Sequence, residues 1–208
     1  MAWAGFVAVF TAVSYTLNFT TSTPKDVLYT WGAAASGAVQ YAFILGIVVL
    51  ISRPDSRRLL ALFTPRSWRR AFGISLGVLL GIFVLAATLE PFLDPGHEQG
   101  LVPDRWEPAH AAAFAVNCCI VAGLAPVVEE LTFRGLGYSL LAPFGRWRAI
   151  VVVGLTFGLA HGLVQGLPLL AAIGGGLAYV RSRTNSVYPG MLLHAAFNGI
   201  VLAASVAT

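Results

Sequence analysis

Long apolar runs determine what this chain can fold into. Hydrophobic residues make up 57% of its 208 positions and charged residues only 11%, whereas a soluble domain carries about a quarter charged residues. Most of the runs reach the roughly 17–25 residues that an α-helix needs to cross a bilayer. The sequence therefore predicts an all-α, polytopic transmembrane helix bundle in the lipid bilayer, with one membrane domain over residues 1–208. About seven spans are predicted, over residues 2–19, 27–51, 71–89, 110–128 with an amphipathic continuation, 149–164, 167–180 and 187–206.

The net charge of +4 reflects membrane topology rather than a nucleic-acid-binding surface, because the basic residues cluster in the predicted connections. The positive-inside rule places such connections in the cytoplasm. It predicts a cytoplasmic N-terminus and a multi-pass protein of the cell membrane. The arginines concerned are Arg53, Arg57, Arg58, Arg66, Arg69 and Arg70, then Arg146 and Arg148, then Arg181 and Arg183. The connection between the third and fourth spans is acidic instead, with Glu90, Asp94, Glu98, Asp104 and Glu107.

Two stripes of glycines four residues apart predict close contacts between helices, because small residues let helix backbones approach in lipid. They are Gly73, Gly77 and Gly81, and Gly154, Gly158 and Gly162.

Three groups of polar side chains interrupt the apolar spans. An ionisable residue at membrane depth costs at least about 2.5–3.5 kcal/mol on insertion scales, so such residues face the interior of a bundle and mark functional sites. Residues four apart share a face of a helix, which predicts an ion pair between the second glutamate and the arginine of the first group. The groups are Glu129, Glu130 and Arg134; Phe157 and His161; and His194 and Asn198.

The three groups also lie at similar depth. The segment Leu141-Ala-Pro-Phe-Gly-Arg146 is typical of a turn between two helices. Glu129 and His161 each lie about 15 residues from that turn, which is roughly 20 Å along a helix. His194 lies roughly 15 Å beyond the turn at Arg181–Arg183. Three helices can therefore direct these polar side chains to one buried point.

Two adjacent carboxylates in a site of low dielectric constant cannot both stay ionised without help. Arg134 can hold Glu130 as a carboxylate, which leaves Glu129 as the candidate general base for a water molecule beside His161. His194 and Asn198 are hydrogen-bond donors suited to a developing oxyanion. The alternative is a divalent metal such as zinc, with Glu129, His161 and His194 as candidate ligands. The sequence has no His-Glu-x-x-His helix, and both versions of water activation stay open.

The order Glu129-Glu130-x-x-x-Arg134, Phe157-x-x-x-His161, His194-x-x-x-Asn198 resembles the three-motif signature of the CAAX-protease and bacteriocin-processing (CPBP) family of intramembrane proteases. The resemblance covers about residues 109–206 as a CAAX-protease-like catalytic core. It implies that Glu129 and His161 activate the hydrolytic water, and that His194 and Asn198 hold the oxyanion. It gives Glu130, Arg134 and Phe157 supporting positions.

The predicted activity is therefore cleavage of a peptide bond in a hydrophobic or lipidated peptide or protein. One alternative is a proton-coupled transporter in which the glutamates and histidines form a proton relay. Against it, the sequence lacks two repeat-related halves. The other alternative is a non-catalytic peptide-binding scaffold or immunity protein that uses the same cavity.

Overall fold

The computed structural model describes residues 2–21, 26–89, 91–93, 98 and 106–206. Within them the chain is helical and has no β-strand, which confirms the all-α prediction. Its seven main helices are α1 (Ala2–Thr20), α2 (Trp31–Ser52), α3 (Trp68–Leu89), α4 (Pro108–Phe144), α5 (Arg146–Ala160), α6 (Leu167–Thr184) and α7 (Tyr188–Ser205). Each corresponds to one predicted span.

Four of these helices, α1 to α4, are long and apolar enough to cross a membrane by length and composition; short helical turns up to Leu59 extend α2 in that count. The other three helices are not counted as candidate spans, and their lengths and sequences show why. Helix α5 has only 15 residues, α6 carries two arginines in its last turn, and α7 carries a histidine and an asparagine. A helix bundle of this composition is that of a membrane protein.

Helix α4 is one rod in which α-helical turns alternate with two π-helical segments, Ile120–Leu124 and Glu130–Gly137. In the first, the N–H of Ala125 bonds to the carbonyl of Ile120, five residues back. Pro126 follows at once, and its missing N–H and bulky ring explain why an ordinary α-helical ladder does not form here. Such π-helical insertions are frequent at functional sites.

The three arginine-rich segments lie together at one end of the bundle. The N–H of Val187, after α6, donates to the carbonyl of Ala61, after α2, at 3.2 Å. Arg181 of α6 donates to the Ser139 hydroxyl in the last part of α4 at 3.4 Å. At the opposite end, Glu98 accepts hydrogen bonds from the N–H groups of Val164 and Gly166 before α6, at 2.7 and 2.9 Å. The orientation of this bundle in a membrane stays a prediction, and Glu90, Asp94 and Asp104 lie outside the described residues.

The predicted glycine stripes have different outcomes. A Cβ at Gly154 would come 2.8 Å from the nitrogen of Gly175, and one at Gly158 would come 2.9 Å from that of Ala171, so α5 and α6 pack backbone to backbone. A Cβ at Gly162 would meet Ser14 of α1 at 2.6 Å. The stripe on α3 was predicted wrongly, because a Cβ there would meet nothing within 4 Å.

Candidate active site

Glu130 and Arg134 form a sealed ion pair inside the bundle. Nη1 of Arg134 donates to Oε1 of Glu130 at 2.9 Å, and both side chains have an exposed fraction of 0%. The second arginine nitrogen, Nη2, donates to the carbonyl of Gly174 on α6 at 2.9 Å, and the guanidinium lies 4.2 Å from the centre of the Phe157 ring. Pairing and stacking compensate the burial of two charges. The pair therefore joins α4, α5 and α6 in the interior.

Glu129, one residue earlier, points in another direction and is partly open. Its side chain is 15% exposed and lines a cavity of about 420 Å³. The Tyr41 hydroxyl of α2 donates to Oε1 of Glu129 at 2.8 Å, while Oε2 lies 3.8 Å from Nε2 of His194. The two adjacent glutamates thus have different environments: one is enclosed by protein, and the other faces space that a water or a substrate can occupy.

His194 lies between the two carboxylates. Its Nδ1 is 3.3 Å from Oε1 of Glu130, and its Nε2 faces Glu129. Contact with a carboxylate at Nδ1 fixes the orientation of an imidazole and leaves the other nitrogen for chemistry. Since only 5% of the histidine is exposed, this ring is held by its neighbours on both edges.

Phe157 is the packing centre between the two histidines. Its ring, 1% exposed, makes edge contacts with His161 at a centroid distance of 4.7 Å and with His194 at 5.8 Å. His161 follows the last residue of α5 instead of lying inside the helix as predicted, because the chain turns at Gly162 with a φ of +69°. The carbonyl of Phe157 accepts a hydrogen bond from Nδ1 of His161 at 2.8 Å, which makes Nε2 the nitrogen left over.

The side chain of Asn198 replaces a backbone hydrogen bond that is missing in helix α4. In the π-helical segment each N–H bonds to the carbonyl five residues earlier, so the carbonyl of Val121 would take its donor from residue 126, which is a proline without an N–H. The side-chain amide of Asn198 donates to this carbonyl instead, at 2.8 Å. One N–H of the amide is thereby used for structure, and the amide has a second.

Of the predicted site residues, Glu129, Phe157, His161, His194 and Asn198 line the same cavity, whereas Glu130 and Arg134 stay behind its wall. The rest of the lining is mainly apolar and comes from every main helix except α3, with Phe6, Phe10, Ile44 and Phe197 among the lining side chains. Within the described part of the chain, no hydrogen bond or ion pair joins His161 to Glu129.

The described residues contain no group of three or more histidine, cysteine, aspartate or glutamate side chains placed to hold a metal ion. Glu129 and His194 approach each other, and His161 does not complete a three-ligand set with them in this conformation. Zinc binding at this site stays a prediction.

Sequence reasoning did not identify Tyr41 or Gly190 as members of this site. Tyr41 lies on the face of α2 that also carries Ala34, Gly37, Ile44 and Val48, which turns inward; Ala34, Ile44 and Val48 are buried. A single hydroxyl on such a face is a signal that could have found it. Gly190 is recognisable only from contact, because its missing side chain makes room for Glu130.

Residues 111–200 match a family model described as Rce1-like, type II CAAX prenyl endopeptidase. The match confirms the resemblance to the CPBP family for this segment, and it supports an intramembrane endopeptidase in general. No curated protein and no solved structure matches the chain.

Proposed function

We propose that this chain, whose residues 111–200 are Rce1-like, is an intramembrane endopeptidase of the cell membrane that cleaves a hydrophobic or lipidated peptide or protein. One observation carries the proposal: Glu129, His161, His194 and Asn198 reach one cavity from α4, from the end of α5 and from α7, with Glu129 partly exposed there and Glu130 enclosed. Polar residues with a merely structural part would be expected to pair with each other in the protein interior, as Glu130 and Arg134 do.

In the proposed first step, a water molecule in the cavity lies between the Oε2 atom of Glu129 and Nε2 of His161. Glu129 accepts a proton from the water as its oxygen attacks the carbonyl carbon of the scissile peptide bond. The C=O π-electrons move to the oxygen and produce a tetrahedral oxyanion. Nε2 of His161 accepts a hydrogen bond from the second O–H of the water, since Nδ1 of this ring donates to the Phe157 carbonyl.

In the proposed mechanism, two N–H donors stabilise the oxyanion. Nε2 of His194, when it carries a proton, provides one donor, and the second N–H of the Asn198 amide provides another. Glu130 contacts Nδ1 of His194 and so orients the ring without touching substrate. The oxyanion re-forms the C=O bond as Glu129 returns its proton to the leaving nitrogen, so that the C–N bond breaks and a carboxylic acid and an amine are released.

The apolar lining favours a substrate that is itself apolar. Of the side chains that reach the cavity from α1 and α2, Phe6, Phe10 and Ile44 are hydrophobic, and burying apolar groups against them contributes about 25 cal/mol per Å². A cavity of about 420 Å³ takes a few side chains or part of a lipid group, not a folded protein. The scissile bond therefore lies in an extended, apolar segment of the substrate.

The test is hydrolysis by the purified protein in detergent micelles and in proteoliposomes. The probes are a farnesylated peptide ending in Cys-aliphatic-aliphatic-X, its unfarnesylated form, and a library of quenched fluorescent apolar peptides. We expect Glu129→Gln and His161→Ala to lower kcat at least about a hundredfold. Matched controls are Asp55→Asn and His110→Ala, which alter an exposed carboxylate and an exposed imidazole away from the cavity. Equal turnover by all five proteins would contradict the proposal.

The role of a metal is tested with the same peptides. We expect the rate to be unaffected by EDTA and by 1,10-phenanthroline, because Glu129 and His161 activate the water directly. Inhibition by both chelators, reversed by added Zn²⁺ and matched by zinc in the purified protein, would assign water activation to a metal instead.

A further inference from the structure

We infer that Tyr41 of α2 is a positioning residue for the general base: its hydroxyl holds one oxygen of Glu129 so that the other faces the reacting water. The inference rests on the proposed function, because it assigns a part in the same reaction. It brings into the site a helix that lies outside the segment matched by the family model, which begins at residue 111.

The contact is short and is made in the wall of the cavity. The Tyr41 hydroxyl donates to Oε1 of Glu129 at 2.8 Å. A hydrogen bond to a carboxylate is stronger than one between neutral groups. Among the described residues, this hydroxyl is the only hydrogen-bond donor to Glu129. Without it, the carboxylate would be free to rotate about its terminal bond in the cavity.

Helix α2 is well placed to hold the phenol ring. A Cβ at Gly37, one turn before Tyr41, would lie 3.4 Å from Ile120, so α2 packs closely on the first π-helical segment of α4. One turn after Tyr41, Ile44 is 6% exposed, and Val48 beyond it is completely buried. The Tyr41 ring itself is partly buried and packs against the hydrophobic core, which limits the positions that its hydroxyl can take beside Glu129.

The direction of the hydrogen bond decides which carboxylate oxygen is available. Oε1 is occupied by Tyr41, whereas Oε2 is turned toward Nε2 of His194 at 3.8 Å. Water attack requires a basic lone pair at a fixed position, because misplacing a catalytic group by about 1 Å can cost a hundredfold in rate. Tyr41 thus acts through Glu129 and needs no contact with substrate.

The decisive variant is Tyr41→Phe, which removes the hydroxyl and keeps the ring. With whichever of the peptides above the wild type cleaves fastest, we expect kcat to fall about tenfold to a hundredfold, the range for loss of one hydrogen bond to a charged group. KM should stay as in the wild type. The unfolding temperature should also stay close to it, because the Glu129 side chain is 15% exposed in the cavity and water can replace the lost hydroxyl. The matched control is Tyr179→Phe, since Tyr179 stacks on Trp147 at the arginine-rich end and does not line the cavity.

A second measurement reads the contact without turnover. The infrared difference between wild type and Glu129→Gln isolates the carboxylate band of Glu129, and the same difference in the Tyr41→Phe background should show that band at a shifted frequency, because a carboxylate stretch responds to hydrogen bonding. An unshifted band would overturn the inference.

The outcomes separate this inference from the proposed function. Turnover that depends on Glu129 but is unchanged in Tyr41→Phe overturns the inference alone. A loss of kcat that is matched by a lower unfolding temperature overturns it too, because packing would then be the cause. Absence of turnover by the wild type on every peptide overturns the proposed function and the catalytic part of this inference, and the infrared band still reports on the contact.

Discussion

Oε2 of Glu130 occupies the space that a Cβ atom at Gly190 would need. The carboxylate has nowhere else to go, because its other oxygen is held by Arg134 at 2.9 Å and lies 3.3 Å from His194. The same Oε2 atom has no hydrogen-bond partner among the described residues. The start of α7 therefore packs against the middle of α4 at a place where Gly190 has no side chain. This close packing also sets the position of His194, one turn later on α7.

Replacing Gly190 with alanine should disturb both stability and catalysis. The added methyl group must displace Glu130 or α7, and overpacking of this kind costs about 1–3 kcal/mol of unfolding free energy. Because His194 moves with α7, we expect kcat to fall as well. Gly199→Ala is the control on the same helix, since a Cβ there meets nothing within 4 Å. Thermal unfolding in detergent and peptide turnover are the measurements, and identical behaviour of the two variants would contradict the fit.

Arg134→Met should destabilise the bundle more than any surface change. It leaves Glu130 as an unpaired carboxylate with no exposure, and breaking a buried ion pair from one side costs about 3–5 kcal/mol. Removing both charges in Glu130→Met/Arg134→Met should cost less than the sum of the single variants. Arg148→Met, at an exposed position, should stay within about 0.5 kcal/mol of the wild type. Chemical denaturation of the four variants measures these values, and an additive double variant would refute the coupling.

The two glycine stripes should differ in their response to alanine. At Gly154 a Cβ would come within 2.9 Å of the Ala171 carbonyl as well as close to the Gly175 nitrogen, so Gly154→Ala should lower the free energy of unfolding by about 1–3 kcal/mol. At Gly77 a Cβ has open space, and alanine should be neutral or stabilise α3 by up to about 1 kcal/mol. Equal destabilisation by the two substitutions would contradict the open space that the structure has beside Gly77.

The helices were predictable because hydrophobicity is a property of long stretches. Each predicted span has its helix, including the amphipathic continuation of the fourth, which becomes the single rod Pro108–Phe144. The end of α5 could not be predicted in this way, since the chain turns at Gly162, which has a positive φ, before the apolar run finishes. Glycine spacing alone also failed for α3, because the spacing states which backbones can approach and not which ones do.

The site was predictable as far as local spacing reaches. The pair of Glu130 with Arg134 follows from four residues along one helix, and the common depth of Glu129, His161 and His194 follows from counting residues from the turns. Contacts between distant helices were beyond such counting. Tyr41 is 88 residues from Glu129 in sequence, and no pattern within either helix states that their faces meet.

Asn198 has a structural part that can be separated from its proposed catalytic part. Asn198→Ala leaves the Val121 carbonyl without its 2.8 Å donor, which should cost about 1–3 kcal/mol of unfolding free energy. Loss of an oxyanion donor should lower kcat by about a hundredfold to a thousandfold.

In a Pro126→Ala background, the new N–H of residue 126 can bond to the Val121 carbonyl, so Asn198→Ala should become much less destabilising there. The kcat deficit should persist, because no new donor reaches the cavity. Thermal unfolding and single-turnover rates of the wild type and these three variants measure the two effects. Recovery of kcat together with stability would mean that Asn198 acts only by completing helix α4.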